Sequence, residues 1–116
     1  GMINFTNFDH EILETKKIAM IVFTADWCRP CGLQKPEIEK VAAQFGDKVK
    51  IAVIDVDKDP DLADRFAVKT LPATIFFAEG ELIEHLHGFQ AEDFLSAYLK
   101  HIIEQCQHNS ETSPKK

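Results

Sequence analysis

The stretch FTADWCRPCGLQKPE, residues 23–37, decides the fold of this chain. An apolar run ends there, Trp27 follows, and Cys28 and Cys31 come next with two residues between them. Cysteines this close in sequence are unsuited to joining distant parts of a fold. Because the pair lies where a buried strand ends and a helix begins, the stretch predicts a strand–turn–helix unit with two thiols at the start of the helix.

Apolar strands and amphipathic helices alternate on both sides of this unit. Four apolar segments predict strands, at residues 18–23, 49–56, 73–78 and 81–87. Helices are predicted at residues 7–16, from the cysteines to residue 45, within residues 57–68, and at residues 91–105. With one more strand ahead of the first helix, this order predicts an α/β fold. We expect a central mixed sheet of four to five strands, flanked on both faces by about four helices.

The composition is that of an ordinary globular protein. The 116 residues, 45% apolar and 28% charged, suffice for one domain. We assign this domain to residues 1–104, and the polar residues 105–116 predict a disordered tail. The net charge of −6 argues against binding to nucleic acid or to an anionic membrane surface. The N-terminus lacks an export signal and no apolar run spans a bilayer, so we expect a cytoplasmic protein.

Three interpretations of the Cys28/Cys31 pair compete. A zinc half-site would need further ligands, and the chain has no second CxxC and no HxxxH pair. Two packed core cysteines fit poorly with Pro30 between them and Trp27 before them. The spacing favours redox chemistry, because a helix N-terminus lowers the pKa of a thiol placed there. A second thiol one turn further along can then attack a mixed disulfide held on the first.

At these residues the chain resembles the thioredoxin family. FTADWCRPC is similar to the WCxPC active-site segment of that family, and Pro36 matches the proline of its active-site helix. VKTLPATIFF, residues 68–77, looks like the segment that carries the family's cis-proline, and Gly88 matches a glycine after the last hairpin. The similarity covers about residues 3–104. It implies a thioredoxin fold and thiol–disulfide exchange with protein substrates.

The resemblance also implies the residues of the site. Cys28 becomes the exposed nucleophile, Cys31 becomes the resolving thiol, and Leu71 offers its main chain to a substrate strand. The implied substrate groove comprises Trp27, Arg29, Pro30, Leu71, a cis Pro72, His87 and Gly88, together with Val56, Thr70 and Phe89. The implied electron donor is a flavin-containing reductase or another dithiol protein. We expect a monomeric chain with no metal and no cofactor beyond the redox-active pair.

Two buried positions depart from the family. Thioredoxins keep a buried Asp beneath the active site and often a Lys that faces it, and this chain has Val22 and Val53 there. Losing both leaves an apolar plug and no unpaired buried charge. Without a carboxylate to carry protons, we expect Cys31 to resolve the mixed disulfide slowly. In the alternative, water carries the proton and the valines matter only for stability.

Two further residues are unusual. Arg29 occupies a position where the family usually has Gly, and a guanidinium beside Cys28 favours its thiolate and makes the pair more oxidising. The alternative is a solvated side chain without effect. Cys106 has no counterpart in the family and is interpreted as an incidental thiol that oxidation can link between copies. The alternative is a regulatory or metal-binding thiol with His101 or His108.

The favoured function is therefore a cytoplasmic, thioredoxin-like protein-disulfide reductase that serves electron transport and cell redox homeostasis. The alternative is a binding or chaperone module that holds a partner protein, in which the thiols are dispensable. The intact WCxPC segment favours the enzyme, whereas the valine plug favours the binding module. A disulfide reduction assay with a Cys28→Ser control distinguishes the two.

Overall fold

The computed structural model describes residues 7–112, with side chains up to residue 108. Its strands are β1 (Ala19–Thr24), β2 (Lys50–Asp55), β3 (Ala73–Ala78) and β4 (Glu81–His87). Its helical elements are a π-helical segment (Asp9–Leu13), α1 (Arg29–Phe45), α2 (Pro60–Arg65) and α3 (Glu92–Thr112). The predicted α/β class and the alternation of helices and strands are confirmed.

The strands form one mixed sheet in the order β2-β1-β3-β4. β1 pairs parallel with β2 and antiparallel with β3, and β3 pairs antiparallel with β4. The four strands of the described region agree with the predicted mixed sheet. The additional strand predicted ahead of the first helix falls within residues 1–6, which lie outside the described residues.

Helices cover both faces of the sheet, as predicted. One core layer joins Phe8 and Leu62, from the π-helical side and α2, to Ile75 of β3. The other layer joins Val41 of α1 and Leu99 of α3 to the opposite face of the same strands. The first five residues of β1 are buried between these layers, which explains why its sequence, AMIVFT, shows no alternation of polar and apolar residues.

The last helix is longer than predicted. α3 continues to Thr112, so residues 105–112, where the sequence predicts a tail, belong to a helix in this structure. Cys106 still packs against the core layer that contains Leu99 and Ile102, and each added residue extends an existing helix at little cost. Residues 113–116 of the predicted tail lie outside the described residues. Within the part of the chain described, no helix is long and apolar enough to cross a bilayer.

Candidate functional site

The site begins where β1 ends. The Cys28 N–H donates a hydrogen bond to the Ala25 carbonyl, at 3.1 Å, and this turn directs the chain away from the sheet. Cys28 then caps α1 with extended backbone angles, φ −90° and ψ 110°. Pro30 occupies the first helical turn, where a missing N–H costs no hydrogen bond. Both cysteines therefore lie at the N-terminus of α1, as the sequence predicts.

The two sulfur atoms are joined as a disulfide, with the Cα atoms 5.3 Å apart. The Cys31 N–H donates to two atoms of Cys28, the carbonyl oxygen at 3.2 Å and the Sγ at an N···S distance of 3.3 Å. Main-chain N–H groups at a helix N-terminus have no partner within the helix, and they stabilise negative charge on an atom that accepts from them. The same contact therefore favours a thiolate on Cys28 once the disulfide is reduced.

Both cysteines are largely buried in this oxidised form. Cys28 is 8% exposed and Cys31 is 5% exposed, and the pair packs against Ala25, Val56 and Leu71. The expectation of a well-exposed Cys28 was therefore wrong for the disulfide form, because neighbouring apolar side chains enclose it. The two cysteines differ in their surroundings. Cys28 borders both the front groove described next and the cavity behind it, whereas Cys31 borders the cavity alone.

The front groove is a depression of about 510 Å³ beside Cys28. It is lined by Trp27, Cys28, Arg29, Pro30, Val56, Ala63, Val68, Lys69 and Leu71. The indole ring of Trp27 is 70% exposed, yet its N–H donates to the Asp57 Oδ2 at 2.8 Å. This hydrogen bond holds an exposed aromatic face beside the disulfide. Half of the ten groove residues that the resemblance implies are thus brought together here: Trp27, Arg29, Pro30, Val56 and Leu71.

Two of the other predicted groove residues, Pro72 and Gly88, are joined by a hydrogen bond next to Leu71. The Leu71–Pro72 peptide bond is cis, as the resemblance implied. The Pro72 carbonyl accepts a hydrogen bond from the Gly88 N–H at 2.8 Å. Gly88 has a φ of 87°, a conformation that glycine adopts at no steric cost. Pro72, His87 and Gly88 do not line the groove, and the same holds for the predicted edge residues Thr70 and Phe89.

A rear cavity of about 400 Å³ lies on the other side of the disulfide. Both cysteines line it, its apolar lining includes Val22, Ile38 and Val53, and its charged lining residues are Asp26, Lys35 and Glu39. A cavity of this volume with charged lining residues is large enough to hold water beside the cysteines. The cavity is thus a place where water could reach Cys31, and Val22 is one of its lining residues.

The two valines that replace the family's Asp and Lys are neighbours in the sheet. Val22 of β1 pairs in register with Val53 of β2. Val22 is fully buried, whereas Val53 is 56% exposed. The prediction of a buried apolar plug is therefore correct for Val22 and wrong for Val53. Val53 is exposed because it lies on β2, which is at the edge of the sheet formed by residues 7–112, whereas Val22 lies on the central strand β1.

Gln34 is a site residue that the sequence analysis missed. It follows Cys31 by one turn on α1 and is fully buried. Its side chain exchanges two hydrogen bonds with the main chain of Gln90, both 2.8 Å long. They tie the active-site helix to the loop that follows Gly88. A signal was present in the sequence: Gln34 lies on the same helical stripe as Cys31 and Ile38, where a buried polar group needs a partner.

Cys106, the third cysteine, lies far from the pair in sequence and is partly buried. Burial raises the pKa of its thiol, and the charge of Glu79 adds to the shift. The described residues contain no group of three or more His, Cys, Asp or Glu side chains arranged to hold a metal ion. The structure thus describes a thiol whose surroundings disfavour the thiolate.

The site combines three chemical features. Cys28 accepts a hydrogen bond that favours negative charge, Cys31 is bonded to it, and an open groove lies beside Cys28. A dithiol of this kind exchanges two electrons with another disulfide through a mixed disulfide.

Comparisons with known proteins agree with this geometry. The family model described as Thioredoxin matches residues 2–101. The thioredoxin of Staphylococcus haemolyticus is 36% identical over 98 residues, which cover 84% of this chain and 92% of the relative. The thioredoxin of Buchnera aphidicola subsp. Baizongia pistaciae is 35% identical over 97 residues, which cover 80% of this chain and 89% of the relative.

Solved structures show the same relationship. Chloroplastic thioredoxin z superposes with a TM-score of 0.79 at 25% identity, over 89% of this chain and 93% of that one. Thioredoxin-2 of the malaria parasite, described as a component of its protein secretion machinery, superposes with a TM-score of 0.71 at 28% identity, over 73% and 82% of the two chains. The family match and the bonded cysteine pair together make this chain a thiol–disulfide oxidoreductase that belongs to the thioredoxin family.

Proposed function

We propose that the chain reduces disulfide bonds of client proteins, with Cys28 as the attacking thiol and Cys31 as the resolving thiol. The observation that carries this assignment is the hydrogen bond from the Cys31 N–H to the Cys28 Sγ at the first turn of α1. It favours the charged form of Cys28, which is the nucleophilic form of a thiol. The front groove, which borders Cys28, gives a client access to that sulfur.

In the forward reaction, the Cys28 thiolate attacks one sulfur of the client disulfide. A Cys28–client disulfide forms, and the other client sulfur leaves as a thiolate that takes up a proton. Cys31 then loses its proton and attacks the Cys28 sulfur, which releases the second client thiolate and forms the Cys28–Cys31 disulfide. Two electrons pass to the client, and the structure corresponds to the oxidised product.

The main chain of Leu71 supports a docking mode for the client. Leu71 packs against the cysteine pair and lines the front groove. Its N–H and C=O groups make no hydrogen bond within residues 7–112. Unpaired main-chain groups beside a groove can pair with an extended polypeptide, as an added strand does at a sheet edge. A client segment paired with Leu71 would pass close to Cys28.

The proposal includes the partners and the setting of the reaction. Electrons come from a flavin-containing reductase or from another dithiol protein, and the dithiol itself serves as the redox group without a further cofactor. The chain acts as a monomer in the cytoplasm. The use of its cysteines supports this setting, because one redox pair and one partly buried thiol differ from the disulfide framework of an exported domain.

Turnover on a disulfide-bonded test protein, with dithiothreitol as the electron source, tests the proposal. The wild-type chain should accelerate reduction, Cys28→Ser should abolish the acceleration, and Cys106→Ser should match the wild type. Cys31→Ser should accumulate a mixed disulfide on Cys28 that mass spectrometry detects after non-reducing separation. Reduction by Cys28→Ser at the wild-type rate would refute the assigned role and favour the binding module, for which the thiols are dispensable.

A further inference from the structure

We propose that the front groove selects client disulfides whose reacting cysteine is flanked by Asp or Glu, with Arg29 and Lys69 as the specificity-determining residues. This inference rests on the function proposed above and adds a client class to it. Both cations line the groove that borders Cys28. They come from different segments, Arg29 from the first turn of α1 and Lys69 from the loop before Pro72.

The groove is cationic in a chain that is acidic as a whole. The chain has 19 acidic and 13 basic residues, for a net charge of −6. The residues that line the groove nevertheless include two cations and no carboxylate. The rear cavity differs, because it contains carboxylates of Asp26 and Glu39 beside the Lys35 ammonium. The excess of positive charge is therefore confined to the front groove and does not extend to the rear cavity.

Arg29 and Lys69 are available to a client. Neither side chain forms a hydrogen bond or an ion pair with any of the residues the structure describes, and both side chains are exposed. By contrast, Arg65, on α2, is paired with Asp9. Asp57, close to the groove through Trp27, accepts the hydrogen bond from the Trp27 indole. Within the described residues, no ion pair joins Asp57 to either cation.

The position of the cations fits residues that flank a client cysteine. When a client sulfur is bonded to Cys28 and its main chain pairs with Leu71, the neighbouring client residues lie about 3.3 Å further along for each position. Arg29 is adjacent to Cys28 in sequence, and Lys69 lies two residues before Leu71. An acidic residue next to the client cysteine would thus meet one of the two cations, whereas a basic residue there would be repelled.

The expected preference is modest and can be measured. An exposed ion pair changes an equilibrium by roughly 1.4- to 5-fold, so two contacts should together favour an acidic client over a neutral one by about 2- to 25-fold. Without the cations, a flanking carboxylate would repel the Cys28 thiolate and slow the attack. Removal of both cations should therefore bring the preference for acidic over neutral clients to one or below.

The test uses disulfide-bonded peptides that differ only in the two residues beside the reacting cysteine, which are Glu, Gln or Lys. Reduction of each peptide is followed with the full chain and dithiothreitol, and the kcat/KM ratio of the Glu peptide to the Gln peptide is compared among variants. The variants are Arg29→Gln, Lys69→Gln and the double substitution. Lys48→Gln is the matched control, because Lys48 follows α1 at the end remote from the cysteines.

We expect a Glu-to-Gln ratio of about two or more for the wild type and for Lys48→Gln, a smaller ratio for each single variant, and a ratio of one or below for the double variant. The wild-type ratio should also fall as salt rises from about 0.01 to 0.15 M, since screening weakens exposed charge pairs. Because each ratio is taken within one variant, a general effect of Arg29 on Cys28 reactivity cancels.

The outcomes separate this inference from the function on which it rests. If no peptide is reduced, the proposed function fails. If all peptides are reduced equally, or the Lys peptide fastest, the function stands and the client preference is refuted. A preference that persists in the double variant would refute the roles of Arg29 and Lys69.

Discussion

Gln34 and Gln90 exchange two hydrogen bonds of 2.8 Å each across 56 residues of sequence. The side chain of Gln34 is fully buried, and it holds the loop after β4 against the active-site helix one turn beyond Cys31. The loop connects this contact to Gly88, whose N–H in turn binds the Pro72 carbonyl. Hydrogen bonds thus connect the active-site helix, through the loop after β4, to the segment that contains the cis-proline.

Replacement of Gln34 by Leu should destabilise the oxidised protein by about 2 kcal/mol, because it removes two hydrogen bonds and leaves the Gln90 main chain without partners. Urea unfolding of the oxidised chain measures this loss. Gln44→Leu is the control: Gln44 is exposed, its hydrogen bond is to Glu92, and we expect a loss of less than about 0.5 kcal/mol. If the two variants lost equal free energy of unfolding, the buried hydrogen bonds of Gln34 would stabilise the protein no more than the exposed hydrogen bond of Gln44.

Much of this fold could be predicted from the sequence because its signals are local. β3 and β4 have the predicted bounds, 73–78 and 81–87. The two apolar runs are separated by a tight turn, which places Gly80 at a φ of 85° and fixes the antiparallel pairing. The cysteine pair was likewise predictable, since spacing and a strand–helix boundary place both thiols at one helix end.

What could not be predicted depends on contacts between distant segments. The partner of Gln34 lies on a loop that no local pattern connects to α1. The exposure of Val53 depends on what covers the edge of the sheet, whereas its sequence context, KIAVID, is that of a buried strand. The extent of α3 beyond residue 105 depends on packing of Cys106 against the core layer of α1 and α3, and its polar composition favours the opposite expectation.

Introduction of a carboxylate beneath the disulfide, Val22→Asp, should accelerate the resolution of a mixed disulfide by about tenfold near neutral pH, because the new group can accept the proton of Cys31. Burial should raise the pKa of this Asp, so the pH–rate profile should show an additional ionisation above pH 4. Single-turnover release of a client peptide from Cys28 measures the step. The variant should also unfold more easily, since it buries a group that is charged at high pH.

Val22→Asn is the control for this substitution, because it has nearly the same size and cannot carry a proton. A similar profile for the Asp variant, the Asn variant and the wild type would mean that water in the rear cavity already carries the proton. In that case, Val22 affects stability and not the rate of exchange.

The Glu92 carboxylate should make stability depend on pH at acidic values. Its pKa lies below the ordinary value of 4.5, chiefly because of its hydrogen bond with Ser96 and also because Gln44 donates to it. A folded-state pKa below the unfolded one means that the stabilisation is present above pH 4.5 and is lost as the pH falls through the folded-state pKa. Glu92→Gln should therefore unfold with a smaller change in urea midpoint between pH 7 and pH 3 than the wild type.

Glu104→Gln removes an exposed carboxylate from the same helix and serves as the comparison. It should retain the wild-type dependence on pH. If the urea midpoint of Glu92→Gln changed with pH as much as that of the wild type and of Glu104→Gln, the hydrogen bonds to Glu92 would not contribute to the acid sensitivity.

Alkylation of the reduced chain at pH 7 should distinguish Cys28 from Cys106. The hydrogen bond from the Cys31 N–H favours the Cys28 thiolate, whereas burial, together with the charge of Glu79, raises the pKa of Cys106. Because the thiolate is the reactive form, limiting iodoacetamide should modify Cys28 at least about tenfold faster than Cys106, as peptide mass spectrometry of the digested protein can quantify. Glu79→Gln should speed modification of Cys106 and leave that of Cys28 unchanged. If Cys28 reacted no faster than free cysteine, the N-terminus of α1 would not favour the Cys28 thiolate. The proposed attack of Cys28 on client disulfides would then be refuted.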